Sequence, residues 1–363
     1  MRPYKFIISG GGTGGHIFPA LAIADALKAQ YPTADILFVG AKGRMEMNRV
    51  PKAGYPIKGL WITGIKRKLT IDNLLFPLKL LVSLVKSWLV IQKFKPHVVV
   101  GTGGFASGPL LSVAAQKGIP SLIQEQNAWP GITNRLLGKY VKRVCVAHEE
   151  MERFFPSQKI KITGNPLRKN LLSEQIETTK ARVQMGLDAS RTTLLVLGGS
   201  LGAKRINKLM AMHASALVGQ NLQILWQCGS LYEQEYLSFN QEYIHVVPFL
   251  DDMAAAYASA DIILSRAGAL AVSELCHMGK AVLFVPSPNV AEDHQYKNAM
   301  AIAQHDAALV LRESELDNKF LATINELIDD PSRQKQLGDN IKKLAKPHAT
   351  KDIVEQINEL LHD

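Results

Sequence analysis

The chain has 363 residues, 47% of them apolar and 20% charged, with a formal net charge of +10. This length exceeds one ordinary core and predicts two domains, and the composition excludes a disordered chain. Cys145, Cys228 and Cys276 lie far apart with no CxxC or Cys/His spacing, which excludes a disulfide framework or zinc site and fits a reducing cytosol.

The N-terminus runs into a first strand with no cleavable signal. Residues 5–9 read as that strand, 10–15 as a glycine loop, and 17–29 as a helix with Pro19 in its first turn. Short apolar runs at 36–39, 97–100 and 121–124 predict further strands separated by helices. After Gly164-Asn165-Pro166 the scheme restarts: strand 192–197, glycine loop 198–202, helix 204–218. Strands at 223–227, 244–247, 261–265, 281–285 and 308–311 follow, with a last helix near 352–361. The alternation predicts an α/β fold of two Rossmann-like units in tandem, each opening strand, glycine loop, helix, with a boundary near Pro166.

Three glycine loops, Gly10–Gly15, Gly101–Gly104 and Gly198–Gly202, fall at expected carboxyl ends of strands. There, glycines permit close backbone approach, and a following helix offers unpaired N–H groups to an anion. Packing alone also produces such turns, so a single loop says little. Three at the edge where open α/β sheets bind ligands say more. A nicotinamide or flavin site wants an acid after the second strand, but here Gly40-Ala41-Lys42 follows it. No GxxxxGK[ST] pattern marks a nucleoside triphosphatase.

In the second half, Arg266 and Gly268 precede a helix containing Glu274. Arg266 and the helix start suit a diphosphate, and Glu274 suits two ribose hydroxyls. His16 stands at a helix start after the first glycine loop, where the positive end of the dipole favours the neutral form a general base needs. Asp251-Asp252 reads as a helix cap rather than a metal-binding acid pair. Neither a catalytic metal nor a cofactor is expected.

Residues 1–163 carry 23 Lys/Arg against 8 Asp/Glu, while residues 164–363 carry 19 against 24. A basic first half suggests a polyanionic partner, either nucleic acid or an anionic membrane face. Lys66-Arg67-Lys68 is followed by a nearly apolar run, 74–91, in which Lys79, Lys86 and Lys93 recur every seven residues. The internal lysines and Pro77 argue against a membrane span. A helix with a wide apolar face near basic residues instead suits the interface of an anionic bilayer.

The motifs GGGTGGHIFPALAIADAL, VVGTGGFASGP, QEQNAWPG, TGNPLR, GGSLGA, FLDDMAAAYASAD, SRAGALAVSEL and HQYKNA occur in this order. Together they resemble the MurG family of glycosyltransferases over essentially the whole chain. The resemblance implies a GT-B fold, two Rossmann-like domains facing across a cleft. The expected domains are 1–164 and 165–345, with 346–363 packing back on the first. It implies inverting transfer of N-acetylglucosamine from UDP-N-acetylglucosamine to the C4 hydroxyl of the muramyl sugar of lipid I, giving lipid II and UDP. The expected setting is peripheral, on the cytoplasmic face of the inner membrane, with an anionic membrane surface rather than nucleic acid as partner.

By the same resemblance, the donor-binding positions are Thr13, Gly14, Gly15, Asn127, Arg168, Ser200, Leu250, Arg266, Ala269, Leu270, Glu274 and Gln295. His16 and Glu125 are the catalytic candidates, and the resemblance does not choose between them as base. Phe105, Gln124 and His294 depart from residues found in some relatives, where tyrosine, histidine and glutamine stand.

Overall fold

A computed structural model describes residues 3–64, 71–167, 171–172 and 176–362. The chain divides into two compact units, residues 1–167 with 346–363, and residues 168–345. Each unit is built on one parallel sheet with helices on both faces, two Rossmann-like domains in one chain.

The first sheet has seven strands: β1 (Lys5–Gly10), β2 (Asp35–Ala41), β3 (Ile57–Leu60), β4 (Val98–Gly103), β5 (Ser121–Glu125), β6 (Arg143–Val146) and β7 (Ile160–Ile162). Their order is β3-β2-β1-β4-β5-β6-β7. Alternation along β1 splits the core in two. Phe6 and Ile8 pack on one face, and Ile7 packs on the other with Val99 and Ile123. The central strands β1, β2, β4 and β5 are buried on both faces, so they read as nearly continuous apolar runs in the sequence.

The second sheet has β8 (Thr192–Leu197), β9 (Leu222–Gln227), β10 (Ile244–Val247), β11 (Ile262–Ser265), β12 (Ala281–Phe284) and β13 (Leu309–Val310), in the order β10-β9-β8-β11-β12-β13. Leu194 and Val196 face one core and Leu195 and Leu197 the other.

Both orders reverse direction once, at β1|β4 and at β8|β11. Connections on either side of such a reversal leave in opposite directions, and a crevice opens at the strands' carboxyl ends. The glycine loops Gly10–Gly15 and Gly101–Gly104 flank the first reversal. Gly198–Gly202 and Arg266–Gly268 flank the second.

The structure corrects several expected bounds. β4 continues through Gly101 to Gly103, so part of the second glycine loop is strand. β3, β6 and β7 were not anticipated. They are three or four residues long, all three lie at or next to a sheet edge, and Lys58, Arg143 and Lys161 interrupt or flank their apolar residues. The last helix is Ala349–His362, longer than expected at both ends.

The helix Phe76–Phe94 inverts the ordinary amphipathic rule. Its buried residues are Lys79, Ser83, Ser87 and Ile91. Lys79 is 4% exposed, whereas Leu74 just before the helix is 79%, Leu81 59%, Val85 53% and Leu89 54%. Most of the polar stripe is tolerable inside because it finds partners there, although Ser87 Oγ has none among the described residues. Lys86 Nζ donates to Gly59 O at 2.6 Å, and Ser83 Oγ donates to Trp61 O at 3.1 Å. Lys79 Nζ lies 5.7 Å from the centre of the Trp61 ring. Burial, with Lys42 and Lys58 nearby, pushes the Lys86 ammonium below its usual range. The basic cluster Lys66-Arg67-Lys68 lies outside the described residues. Among the described residues, no helix is long and apolar enough to cross a membrane.

Helix Ala349–His362 closes the first unit. Ile353, Val354, Ile357 and Leu360 join Phe6, Ile8, Ile23 and Leu27 in one core. Tyr31 Oη also donates to Asn358 Oδ1 at 3.0 Å. Because Ile357 is fully buried, Ile357→Ala should destabilise the first unit by about 2–5 kcal/mol. A denaturation curve whose first-unit transition does not move would show that this helix is not part of that core.

Candidate active site

In the first unit the site is made by backbone approaching backbone. Gly103 and Gly104 have φ of +102° and +90°, values that strongly favour glycine. A Cβ on Gly104 would lie 2.3 Å from Gly11 O, and one on Gly103 would lie 2.8 Å from His16 Cε1 and Nδ1. The two loops therefore touch without side chains between them, and the imidazole of His16 rests against Gly103.

A buried carboxylate supports the first loop from below. Glu46 is fully buried, and its Oε2 accepts from Gly12 N while Oε1 accepts from Ala41 N, both at 2.9 Å. Thr102 and Ser107 complete the support. The Thr102 hydroxyl donates to His16 O at 2.7 Å, and the Ser107 hydroxyl donates to Gly103 O at 2.9 Å and to Ser9 O at 3.0 Å. Beyond the loop, helix Gly14–Gln30 starts with no side-chain cap hydrogen bond and no acid in its first turn, among the described residues. Its positive end thus opens on the exposed Thr13 and Gly15.

β5 brings up the other catalytic candidate. Glu125 is 1% exposed, and four N–H groups converge on its two oxygens. Asn127 N and Nδ2 each donate to Oε1 at 3.0 Å. Gly131 N at 3.2 Å and Asn134 Nδ2 at 2.9 Å donate to Oε2. Glu125 thereby holds residues 126–131 in place. Between it and His16 stands Gln126, whose Oε1 lies 2.9 Å from His16 Nδ1. Thr13, Gly14, Gly15, His16, Glu125 and Asn127 thus share the carboxyl edge of one sheet.

In the second unit, Ser200, Leu250, Arg266, Ala269, Leu270, Glu274 and Gln295 lie on loops and helices that follow β8, β10, β11 and β12. Ser200 is exposed, and its carbonyl accepts from Ser230 N at 3.2 Å. Leu250 is buried in the core with Tyr257 and Val272. Helix Ala269–Met278 begins after Gly268 with no side-chain cap hydrogen bond and no acid in its first turn, among the described residues. Glu274 is buried within it, and Tyr257 Oη donates to Glu274 Oε2 at 2.9 Å, which fixes the carboxylate. Gln295 Oε1 accepts from Ser287 N at 2.9 Å.

Arg266 is less available than its position in sequence suggests. Its Nη2 pairs with Glu313 Oε1 at 2.5 Å and its Nη1 donates to Val285 O at 2.9 Å. The guanidinium ties the loop after β11 to the end of the sheet, and any anion would have to compete with Glu313 for it. Arg168 lies outside the described residues. Asp252, read as a cap, is one: its Oδ1 accepts from Ala255 N at 3.0 Å.

Glu46, Gln126, Tyr257 and Glu313 were missed by sequence reasoning. A carboxylate in a run as apolar as Met45-Glu46-Met47 was a usable signal for the first. The partners of the other three are set by tertiary contact.

Two family models match the chain: the glycosyltransferase family 28 N-terminal domain over residues 6–146 and the C-terminal domain over residues 193–357. A UDP-N-acetylglucosamine--N-acetylmuramyl-(pentapeptide) pyrophosphoryl-undecaprenol N-acetylglucosamine transferase of Flavobacterium psychrophilum is 54% identical over 362 residues, covering 99% of each chain. The protein of the same description from Christiangramia forsetii is 52% identical, covering 99% of this chain and 98% of its own. The crystal structure of Acinetobacter baumannii MurG superposes with a TM-score of 0.81 at 30% identity, covering 99% of this chain and 100% of its own. A UDP-GlcNAc 2-epimerase from Neisseria meningitidis bound to UDP-GlcNAc gives a TM-score of 0.67 at 17% identity over 99% of this chain and 100% of its own, a likeness of fold alone.

The support under the first loop can be tested directly. Glu46→Ala leaves the N–H groups of Gly12 and Ala41 without their acceptor, and should cost about 2 kcal/mol or more in unfolding free energy. An unchanged denaturation midpoint would show that the loop is held by other means.

Proposed function

The chain belongs to glycosyltransferase family 28, and from that premise we infer what it does and how its parts share the work. It is a UDP-sugar hexosyltransferase of GT-B type. It transfers N-acetylglucosamine from UDP-N-acetylglucosamine to the C4 hydroxyl of the muramyl sugar of lipid I, with inversion, releasing lipid II and UDP for peptidoglycan synthesis. The observation that carries this reading is 54% identity, end to end, to a transferase of that description, with both halves of the family matched.

Inversion by single displacement makes two demands. As the acceptor O4–C1 bond forms and the C1–O bond to phosphate breaks, a base must take the hydroxyl proton. At the same time, the departing UDP must have its growing negative charge stabilised.

The second demand is assigned to the second unit. The start of helix Ala269–Met278, with Ala269 and Leu270, and the exposed Ser200 face the diphosphate. Glu274, fixed by Tyr257, accepts from the ribose hydroxyls. Leu250 reads uracil through its backbone, and Gln295 meets the sugar. Arg266 contributes to the diphosphate by exchanging or sharing its Glu313 partner, and Arg168 keeps its proposed place on the donor side.

The first demand is assigned to the first unit. His16 is the base, supported by its place at the carboxyl edge and by the prior commitment of Glu125 to four N–H donors. Thr13, Gly14, Gly15 and Asn127 are proposed to meet the sugar and its phosphate.

The acceptor is lipid-linked, and we assign the exposed face of helix Phe76–Phe94 to the membrane. Leu78, Leu81, Val82, Val85, Trp88 and Leu89 are exposed along it, an apolar face that costs free energy in water and gains it in a bilayer interface. Lys79 and Lys86 of this helix are turned inward, so its contribution is hydrophobic. The electrostatic part falls to the rest of a basic first half, including Lys66, Arg67 and Lys68. The peripheral location on the cytoplasmic membrane face rests on this reading.

Incubation with UDP-N-acetylglucosamine and a lipid I analogue tests the reaction itself: UDP release should require both substrates. Release with the donor alone, or none with both, would remove the assignment. Glu274→Gln preserves the Tyr257 contact and should weaken UDP binding about tenfold, roughly 1–2 kcal/mol for one charged hydrogen bond. Unchanged affinity in calorimetry would take Glu274 off the ribose. In flotation with anionic liposomes, Leu81→Glu with Val85→Glu should abolish recovery, and added salt should only weaken it. Undiminished flotation of the double variant would move membrane docking to another surface.

A further inference from the structure

The family assignment leaves open which nitrogen of His16 does the work. A neutral imidazole is a base only at the nitrogen without the proton, so the tautomer decides whether the residue can act. We propose that Gln126 is a positioning residue that holds His16 as the Nδ1–H tautomer and leaves Nε2 as the basic nitrogen. This rests on the reading of His16 as the base.

A chain of amides with only one self-consistent direction carries the inference. It begins at a group that can only accept, the backbone carbonyl of Gln126, to which Asn165 Nδ2 donates at 3.1 Å. With its nitrogen so placed, Asn165 presents Oδ1 to Gln124, and Gln124 Nε2 donates to it at 2.8 Å. Gln124 therefore turns its Oε1 toward Gln126, whose Nε2 donates to it. Gln126 in turn is left with Oε1 facing His16 Nδ1 at 2.9 Å.

A second anchor agrees and does not depend on the first. Gln126 Nε2, whose two protons are shared among three acceptors, also lies 2.9 Å from the backbone carbonyl of Thr102 and 3.0 Å from that of Gln124. Reversing the Gln126 amide would set its oxygen against these two carbonyl oxygens, neither of which has a proton to give. Gln124, Gln126 and Asn165 are all buried, at 0%, 1% and 2% exposed, so water cannot relieve the mismatch.

An amide oxygen facing Nδ1 accepts and cannot donate, so the imidazole proton sits on Nδ1. Among the described residues, Nδ1 is the only His16 ring nitrogen with a hydrogen-bond partner. The imidazole also cannot shift toward the strand, because Gly103 lies directly against it. In catalysis the C4 hydroxyl proton would pass to Nε2, and the imidazolium formed would keep its Nδ1–H bond to Gln126. Gln124 also gains a reason to be polar and buried: it fixes the direction of the amide that fixes the histidine.

The test reads the tautomer directly, by long-range ¹H–¹⁵N correlation on the full chain with labelled histidine, assigned by loss of the signal in His16→Gln. Wild type should show Nδ1 protonated and Nε2 unprotonated when the ring is neutral. Gln126→Leu should lose that preference and slow turnover at least tenfold with UDP affinity unchanged. Gln126→Glu still offers an oxygen to Nδ1–H and should keep the tautomer and recover most of the turnover.

A neutral ring with its proton on Nε2 in wild type overturns the proposal, and so does an unchanged tautomer in a folded Gln126→Leu. If Gln126→Leu does not fold, the wild-type and Gln126→Glu spectra still decide. The base assignment fails separately: normal turnover in His16→Ala, with the Nδ1–H tautomer seen in wild type, would refute His16 as base and leave its orientation by Gln126 standing.

Discussion

The first unit depends on a contact that no side chain could make. Gly104 sits where a Cβ would strike the backbone oxygen of Gly11, and Gly103 sits where a Cβ would strike the imidazole of His16. Parallel strands β1 and β4 deliver the two loops side by side because the strand order reverses between them. The glycines then let the loops close fully. From that contact follow the position of His16, the buried carboxylate of Glu46 that satisfies the loop amides, and the reach of Gln126 from β5 to the ring. Fold and chemistry are joined here through geometry rather than through any one strong bond.

The second unit meets a different demand with the same topology. Under the proposed function it stabilises charge rather than moving a proton, and its parts are those that suit an anion: a helix start with no acid in its first turn among the described residues, an exposed serine on a glycine loop, and an arginine. That Arg266 is paired with Glu313 is consistent with this task. A lone guanidinium half-buried beside the sheet would be costly, and under the proposed function a pair that a diphosphate can exchange avoids that cost. Glu274, pinned by Tyr257, is the counterpart of His16: a polar group whose direction is set by a neighbour before any substrate arrives.

The fold class was legible because both sheets are parallel and buried on two faces, so β1, β4, β8 and β9 appear as plain apolar runs and the glycine loops mark their ends. The short strands β3, β6 and β7 were not legible, because Lys58, Arg143 and Lys161 interrupt or flank their apolar residues and pairing, rather than propensity, makes them strands. The wide apolar face of helix Phe76–Phe94 was readable from its period, but the partners of its inner polar stripe were not, since the carbonyls of Gly59 and Trp61 that receive Lys86 and Ser83 come from elsewhere in the chain. Motifs led to His16, Glu125, Glu274 and Arg266, and the structure supplied their partners. Gln126, Tyr257 and Glu313 act through contacts 17 to 110 residues away along the chain, a distance no local pattern encodes.

The claim on which the account turns is that the packing of the glycine loops, and not simply the presence of a histidine, makes the first unit competent. Gly103→Ala puts one methyl group against the His16 ring and strains a backbone with φ of +102°, changing no polar group. Single-turnover transfer by this variant, with UDP affinity measured in parallel by calorimetry, is the most direct measurement. The account predicts turnover lowered about 100-fold, the cost of misplacing a reacting group by about 1 Å, with UDP affinity unchanged. Turnover within a few-fold of wild type in a folded Gly103→Ala chain would contradict it.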